Sequence, residues 1–551
     1  MAVLALPILL ILQTPAQQVP KATIEGVVMR VGTNEPVARA RISIMKLAGP
    51  GAAPVQLNAG AIPPVMTDSQ GRFIIADLEA GSYQLSAARN GFARQMYGER
   101  SPGRGGAPLN VVAGQSLKDI VFRLTPAGTV IGRVSDASGE PAAGITVQLL
   151  QSRYDVDGKR TFQPVSAART NDRGEYRLYW ITPGRYFLNA SAGRSPFDFN
   201  PFVGTGNEVI DPGFAVTYYP GTPDVSLASA IEVTPGTEIG PLDFTIQQQR
   251  LYRIRGRVID VRTGQSPKSV NVSLGPRNPG GAIMLNSGSN YNPGNGTFEL
   301  RDIGPGEYYV RAFELNSSSP VQNSAQAPVD IVASDVENLV LAFGQGMSIQ
   351  ARVGIDNGSA ISSLDREIRI FLSPVASRML FSNPPVVKPD GTAVIENVVP
   401  GEYRVSMIGL PPGMYVKSAV LDQVDVLQSG LSIAGPVGAP LDVVISPNSG
   451  EIDGIIVNRE SKAVSGIQAV LIPDQRNRRD LYKTASSDQN GHFTMKGLTP
   501  GGYRLFAWED LEPFAYNDPE TLRRYEQAGT EVKVSESSKA TLEVKMIPTG
   551  Q

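Results

Sequence analysis

The sequence of 551 residues lacks cysteine altogether and contains a single histidine, His492. The absence of cysteine excludes disulfides, thiolate metal sites, cysteine nucleophiles and a lipid anchor attached through an N-terminal cysteine. A single histidine excludes metal sites that need several imidazole ligands. The folded state must therefore be held together by apolar burial, and both thiol enzymes and multi-histidine metalloenzymes are excluded.

An excess of charge of one sign is also lacking, since 50 basic residues stand against 52 acidic ones. Proteins that bind nucleic acid need a surplus of Lys and Arg to displace counterions from the phosphates. We therefore expect no nucleic-acid partner.

Hydrophobic runs long enough to cross a bilayer are absent, so no transmembrane segment is predicted. The apolar run at 2–12 is too short, and the small residues Thr14 and Ala16 follow it, which is typical of a signal peptide. We predict a signal peptide over 1–16 and an extracytoplasmic protein that is periplasmic, secreted or at the cell surface. No Lys or Arg precedes the run, so a short first strand or a misplaced start codon is the alternative.

Glycine and proline are abundant, with 57 and 43 residues, and favour turns and short strands. One motif recurs five times, first as DSQGRFIIADLEAGSYQLSA from Asp68. Each copy has a turn glycine, a second glycine ten residues later and a tyrosine two residues beyond it. The turn glycines are Gly71, Gly174, Gly296, Gly391 and Gly491, and the tyrosines are Tyr83, Tyr186, Tyr308, Tyr403 and Tyr503. We interpret each copy as a β-hairpin and expect the tyrosines to pack in the core with their hydroxyls bonded to backbone.

A predicted strand opens and another closes the segment around each copy, which makes a repeat of roughly 100 residues, too long for a solenoid unit. The fold class is therefore all-β, with five tandem Greek-key β-sandwich modules of immunoglobulin-like or transthyretin-like type. The predicted modules span 22–125, 126–248, 249–343, 344–446 and 447–548. Because the joins are short, we expect the modules to stack as a semi-rigid rod.

The combination of a G-x-V first strand, a T-D-x-x-G-x-F turn and an L-x-P-G-x-Y-x-L-x-A strand resembles the carboxypeptidase regulatory-like domain. The resemblance covers nearly all of the chain after residue 16. It implies a transthyretin-like sandwich, grouped with carbohydrate-binding-like folds, in an accessory and non-catalytic role. Module 4 departs most, with Ala351 where other modules have glycine and Ala393 where they have an aromatic residue.

No catalytic or cofactor motif stands out, and we expect no enzyme activity, cofactor or metal. The sequence contains neither G-x-S-x-G nor H-E-x-x-H. Asp155 and Asp157 in YDVDGK lack the further ligands of a calcium loop, which favours a polar hairpin tip. The run QRNRRD at 475–480 is interpreted as a solvated loop. In the last module, Asp518 and Pro519 predict the start of a short helix that ends near Tyr525.

Tyr179 and Trp180 in module 2 are the candidate binding residues. The equivalent slots in the other copies hold mostly polar residues, namely Ala76 and Asp77, Arg301 and Asp302, Glu396 and Asn397, and Lys496 and Gly497. Adjacent aromatics at exposed slots are typical of a platform on which sugar rings stack. The alternative is that the long insertion after this copy, which includes Phe197, Phe199, Phe202 and TYYPG at 217–221, folds back over the pair.

Two functions follow from these readings. The first is a non-catalytic binding protein for a glycan or another surface polymer, with a polysaccharide or a surface protein as partner. The alternative is a structural rod, scaffold or adhesion spacer at the cell surface without a small ligand.

Overall fold

The computed structural model describes residues 20–47, 62–191, 214, 216–277, 291–314, 324–343, 347–375 and 384–549. Their strands form ten sheets, which pack in five pairs along the chain. Each pair encloses its own cluster of buried apolar side chains. The protein is therefore an all-β chain of five tandem sandwiches, as the repeat predicts, and we call them units 1 to 5. The residue boundaries of the modules stay predictions.

Units 1 and 2 precede the middle of the chain. The strands of unit 1 are β1 Ala22–Arg30, β2 Arg41–Lys46, β3 Val65–Met66, β4 Arg72–Leu78, β5 Gly81–Ala88, β6 Gln95–Met96, β7 Leu109–Val111 and β8 Ser116–Leu124. The strands of unit 2 are β9 Gly128–Ser135, β10 Thr146–Tyr154, β11 Arg160–Arg169, β12 Glu175–Ile181, β13 Gly184–Ser191, β14 Thr217–Tyr218, β15 Ile231–Val233, β16 Glu238–Ile239 and β17 Phe244–Thr245.

Units 3 and 4 follow. The strands of unit 3 are β18 Tyr252–Asp260, β19 Val270–Pro276, β20 Thr297–Ile303, β21 Gly306–Glu314, β22 Ser324–Ile331 and β23 Val336–Phe343. Unit 4 contains β24 Met347–Ile355, β25 Arg369–Pro374, β26 Thr392–Val398, β27 Gly401–Ile408, β28 Tyr415–Leu421, β29 Val424–Asp425, helix α1 Val426–Ser429, β30 Leu431–Ile433 and β31 Leu441–Ser446.

Unit 5 ends the chain and carries the longer helix. Its elements are β32 Gly450–Val457, β33 Gln468–Pro473, β34 Lys483–Ser486, β35 His492–Leu498, β36 Gly501–Trp508, helix α2 Pro519–Tyr525, β37 Thr530–Val534 and β38 Lys539–Lys545. The first strand of every unit is central in its sheet. In unit 5, β32 pairs antiparallel with β35 and parallel with β38, and the other units repeat this pattern.

The two strands of the repeated motif do not pair with each other, so the hairpin interpretation is wrong. In unit 1, β4 pairs with β1, whereas β5 pairs with β2 in the opposite sheet. Phe73 and Ile75 on β4 and Tyr83 and Leu85 on β5 are all buried in one core. The motif therefore crosses from one sheet to the other, because each strand must cover its own side of that core.

The hydroxyl of the repeated tyrosine bonds to the backbone where the chain crosses between the sheets, and the sequence predicts this bond to backbone. In each unit its hydroxyl donates a hydrogen bond to the backbone carbonyl four residues earlier. The pairs are Tyr83 to Glu79 at 2.8 Å, Tyr186 to Thr182 at 2.6 Å, Tyr308 to Gly304 at 3.0 Å, Tyr403 to Val399 at 2.8 Å and Tyr503 to Thr499 at 2.7 Å. The bond satisfies a polar group that burial would otherwise leave unpaired.

The segment between β36 and β37 covers the outer face of the larger sheet of unit 5. Helix α2 begins at Pro519, and the Asp518 carboxylate caps it by accepting from the backbone N–H groups of Glu520 and Thr521. Above the sheet, Leu522 packs in a second apolar cluster that includes Phe506 and Trp508. The predicted short helix is confirmed.

Unit 5 contacts unit 1 as well as its neighbour, unit 4. Asn110 of unit 1 and Gln489 of unit 5 exchange two hydrogen bonds, at 3.0 and 2.9 Å. The side chain of Asn517 donates to the carbonyl of Val156 in unit 2 at 2.9 Å. A chain that extends end to end cannot bring its first and last units together. The units therefore fold back on one another and do not form the expected end-to-end stack.

The predicted signal peptide lies outside the described residues. Within the described part of the chain, no helix is long and apolar enough to cross a membrane.

Candidate polymer-binding cleft

Tyr179 and Trp180 both point outward because β12 carries a β-bulge. Leu178 pairs with Val130 and Ile181 pairs with Gly128. Ile181 is three residues after Leu178, whereas Gly128 is only two residues before Val130, so β12 contains one extra residue. Leu178 and Ile181 face the core, and the two residues between them are both exposed. The same register shift occurs at the equivalent place in the other four units.

The two rings form an exposed aromatic pair. Tyr179 is 57% exposed and Trp180 is 54% exposed. Their centroids lie 4.9 Å apart and their planes are nearly perpendicular, at 83°. More than half of each residue is therefore accessible to solvent, and a stacking platform requires accessible rings.

Trp180 also has a left-handed backbone, with φ at +59°. The equivalent residues Asp77, Asp302 and Gly497 have φ of +60°, +59° and +68°. Glycine and aspartate tolerate this region well, whereas a tryptophan costs about 1–2 kcal/mol there. Neither the bulge nor the core requires this side chain, because Asp and Gly adopt the same backbone at the equivalent place in three other units.

The pair stands at one side of a cleft between units 1 and 2, with a volume of about 810 Å³. Glu99 and Arg104 on the loop after β6 form the wall on unit 1. Arg153 and Arg177 contribute to the wall on unit 2. The size falls within the range of about 300–1,000 Å³ that is usual for ligand sites.

The loop of unit 1 is held in shape from both sides. Glu99 accepts hydrogen bonds of 2.6 Å from the backbone N–H groups of Met96 and Gly103. Burial raises the pKa of the Glu99 carboxyl, and these backbone bonds lower it to a smaller extent. On the other side, Nε of Arg104 donates to the Asp510 carboxylate at 2.7 Å. The shape of the cleft thus depends on a contact with unit 5.

The insertion of unit 2 is described only in part. Phe197, Phe199 and Phe202 lie outside the described residues. Of TYYPG, Tyr218 lies on β14, which pairs with β13 in the sheet opposite β12. Tyr219 packs against Phe244 of the core, with centroids 6.0 Å apart. This part of the insertion therefore belongs to the other sheet.

The remaining polar motifs have structural partners. Asp155 closes the tip between β10 and β11 by accepting from the backbone N–H groups of Asp157 and Lys159. Asp157 pairs with Arg404 of unit 4 at 2.9 Å. Among the described residues, no group of three or more His, Cys, Asp or Glu is placed to hold a metal ion. His492 is exposed.

The interpretation of QRNRRD as a solvated loop holds for the exposed Gln475, Asn477 and Asp480 and is wrong for the arginines that follow. Arg478 is buried and pairs with Asp480 at 2.7 Å. Arg479 donates to the side-chain oxygen and the carbonyl of Asn517, at 2.8 and 2.9 Å. The run holds the segment that leads into α2, which requires guanidinium groups that can donate in several directions.

Comparison with known proteins adds no family. No protein-family model matches the chain, and no curated protein matches it. Similar solved structures include the Bacillus anthracis TIE protein, with 10% identity and a TM-score of 0.16 over 98% of this chain and 76% of that one. The full-length major pilin RrgB from Streptococcus pneumoniae has 9% identity and a TM-score of 0.17 over 96% of this chain and 100% of that one.

A third similar structure is GBS52, the minor pilin of Streptococcus agalactiae, with 12% identity and a TM-score of 0.22 over 42% of this chain and 96% of that one. At these TM-scores the likeness assigns neither a family nor a function to this chain.

Proposed function

We propose that the protein is a non-catalytic, extracytoplasmic scaffold or adhesion protein, in which unit 5 holds units 1, 2 and 4 together through direct contacts. The observation that supports this role is the contact of Asp510 with unit 1. Its carboxylate accepts from the Ser101 hydroxyl and from Arg104, both at 2.7 Å. Beside it, Arg100 pairs with Glu509 at 3.2 Å. We call these five residues the clasp.

A second set of contacts supports the same body. In unit 2, Arg160 pairs with Glu512 at 3.1 Å, next to the bond from Asn517 to Val156. Gly158 packs so closely on the backbone of Asn517 that a Cβ would collide with it. The segment between β36 and β37 thus packs on its own sheet through Leu522 and also contacts units 1 and 2. A segment that holds other units in place serves a scaffold directly.

The resemblance of the repeat to carboxypeptidase regulatory-like domains supports an accessory role as well. The test is complementation of a strain that lacks the protein, with adhesion and the retention of surface components as readouts. We expect wild type and Trp180→Ala to restore both, and Asp510→Lys to fail because it places a cation beside Arg104. Equal complementation by Asp510→Lys, with normal protein levels, contradicts the scaffold role.

The exposed left-handed Trp180 favours a second candidate, binding of a glycan or surface polymer in the cleft. Loss of one stacked ring should weaken binding by about 1–3 kcal/mol, by analogy with base stacking. The test is a glycan array probed with wild type and Trp180→Ala, with circular dichroism to check that the variant folds. Binding that is independent of Trp180 contradicts this candidate.

A further inference from the structure

We infer that the cleft between units 1 and 2 binds an acidic polysaccharide whose sugar rings carry carboxylates. The inference rests on the second function proposed above, polymer binding at Tyr179 and Trp180, and specifies the chemistry of the polymer. Two features of the cleft support it together, namely the open aromatic faces and the arginines that line the same space.

Four arginines line the cleft, namely Arg94, Arg104, Arg153 and Arg177, and the acid that faces them is Glu99. Arg104 is neutralised by Asp510, and Arg177 pairs with Glu238 at 2.8 Å. The Arg177 side chain is more than half exposed, and exposed ion pairs contribute little free energy. A ligand carboxylate can therefore replace Glu238 as the partner of Arg177 at little cost.

Among the described residues, the hydrogen-bond acceptors of Arg94 and Arg153 are neutral, and Arg94 also lies near enough to the Glu99 carboxylate to interact with it. Arg94 donates to the Ser86 hydroxyl at 3.0 Å, and Nε of Arg153 donates to the Gln151 side-chain oxygen at 2.8 Å. A guanidinium carries five N–H donors, so both groups keep donors for a ligand. Arginine binds carboxylates through two parallel hydrogen bonds, which gives charge and orientation together.

The aromatic pair and the arginines provide complementary contacts for one kind of chain. A sugar ring offers an apolar face of C–H groups to Trp180, and a carboxylate at the ring edge reaches the guanidinium groups. A neutral glycan leaves Arg153 without a charged partner, whereas Arg94 already interacts with the Glu99 carboxylate. A polyanion without rings, such as polyphosphate, leaves the aromatic faces unused.

The test is titration calorimetry on the full chain with hexamers of galacturonate and of mannuronate, each beside its carboxyl-reduced, uncharged counterpart. We expect at least one acidic hexamer to bind about tenfold or more tighter than its reduced form. Arg153→Gln and Arg94→Gln should each weaken the acidic hexamer about fivefold to tenfold and leave the reduced form unchanged. Trp180→Ala should weaken both forms. Arg185 lies on β13 and forms an exposed ion pair with Glu232 on β15, so Arg185→Gln is the matched control and should change neither.

The outcomes separate this inference from the function on which it rests. Equal binding of acidic and reduced hexamers, lost in Trp180→Ala and unchanged in Arg153→Gln, overturns the acidic ligand and leaves polymer binding intact. Binding of an acidic hexamer that ignores Trp180→Ala overturns both, because the aromatic platform is then unused. The absence of binding by all four hexamers overturns both as well.

Discussion

Ala351 on β24 lies directly opposite Ala393 on β26, at a place where every other unit pairs a glycine with an aromatic residue. The other pairs are Gly26 with Phe73, Gly132 with Tyr176, Gly256 with Phe298 and Gly454 with Phe493. A Cβ on Gly26 would come within 2.6 Å of the Phe73 ring. The aromatic ring therefore lies over the glycine, and unit 4 changes both partners together.

Gly454→Ala should destabilise unit 5, because the added Cβ collides with the Phe493 ring. We expect a loss of about 1–3 kcal/mol in the free energy of unfolding. Phe493→Ala alone should cost about 3–5 kcal/mol through the cavity it leaves. The double variant should cost less than the sum, since it copies the pair of unit 4. Urea unfolding followed by Trp508 fluorescence, in a Trp180→Phe background, measures all three.

Gly26→Ala combined with Phe73→Ala is the control for this cycle. At Gly26 the Cβ also collides with the backbone oxygen of Ile120, which truncation of the ring cannot remove. Hydrogen exchange of unit 1 amides should show little or no rescue there. Strictly additive losses in unit 5 would contradict the proposed coupling.

Tyr503→Phe should lower the stability of unit 5 by about 1 kcal/mol, because the Thr499 carbonyl loses its hydrogen bond. The urea midpoint of Trp508 fluorescence reports the change. Tyr179→Phe is the matched control, since its ring is exposed and a surface change of this kind stays within about 0.5 kcal/mol. Equal midpoints for Tyr503→Phe and wild type would show that this bond does not stabilise unit 5.

High pH should destabilise the protein through the same tyrosines. Burial raises the pKa of Tyr503 to about 12 and raises the pKa of Tyr186, Tyr308 and Tyr403. Between about pH 10 and pH 12 the unfolded chain loses tyrosine protons that the folded chain keeps. The free energy of unfolding therefore falls as pH rises through this window. Urea midpoints at several alkaline pH values should show a shallower fall for Tyr503→Phe than for wild type.

The contact between units 1 and 5 can be tested with cysteines, because the chain has none of its own. The Ser101 hydroxyl lies 2.7 Å from the Asp510 carboxylate, so Ser101→Cys with Asp510→Cys should form a disulfide on mild oxidation. A faster band on a non-reducing gel measures it. Ser138→Cys with Asp510→Cys is the control, since Ser138 bonds within its own turn to Asp136. A crosslink of equal yield in both pairs would argue against a specific contact.

The sequence predicts the features that repeat, and it misses those that do not. Five copies with the same spacing specify the units, the buried tyrosines and the outward direction of Tyr179 and Trp180. The hairpin interpretation fails because alternation fixes which face of a strand is buried, and leaves open which sheet the strand joins. The contact of Ser101 with Asp510 escapes prediction because ordinary polar residues far apart in the chain carry no local pattern. The partner of Arg479 escapes for the same reason, since Asn517 follows 38 residues later in the chain.

The bulge before the second glycine has a consequence for how such a chain can change. On β12, Leu178 and Ile181 are buried in the core, whereas the two residues between them are exposed and do not pack in it. All five units carry this bulge, so each has two residues at the equivalent place between its two core-facing residues. Side chains at this place can therefore differ between units without entering the core, and in unit 2 two aromatic rings occupy it.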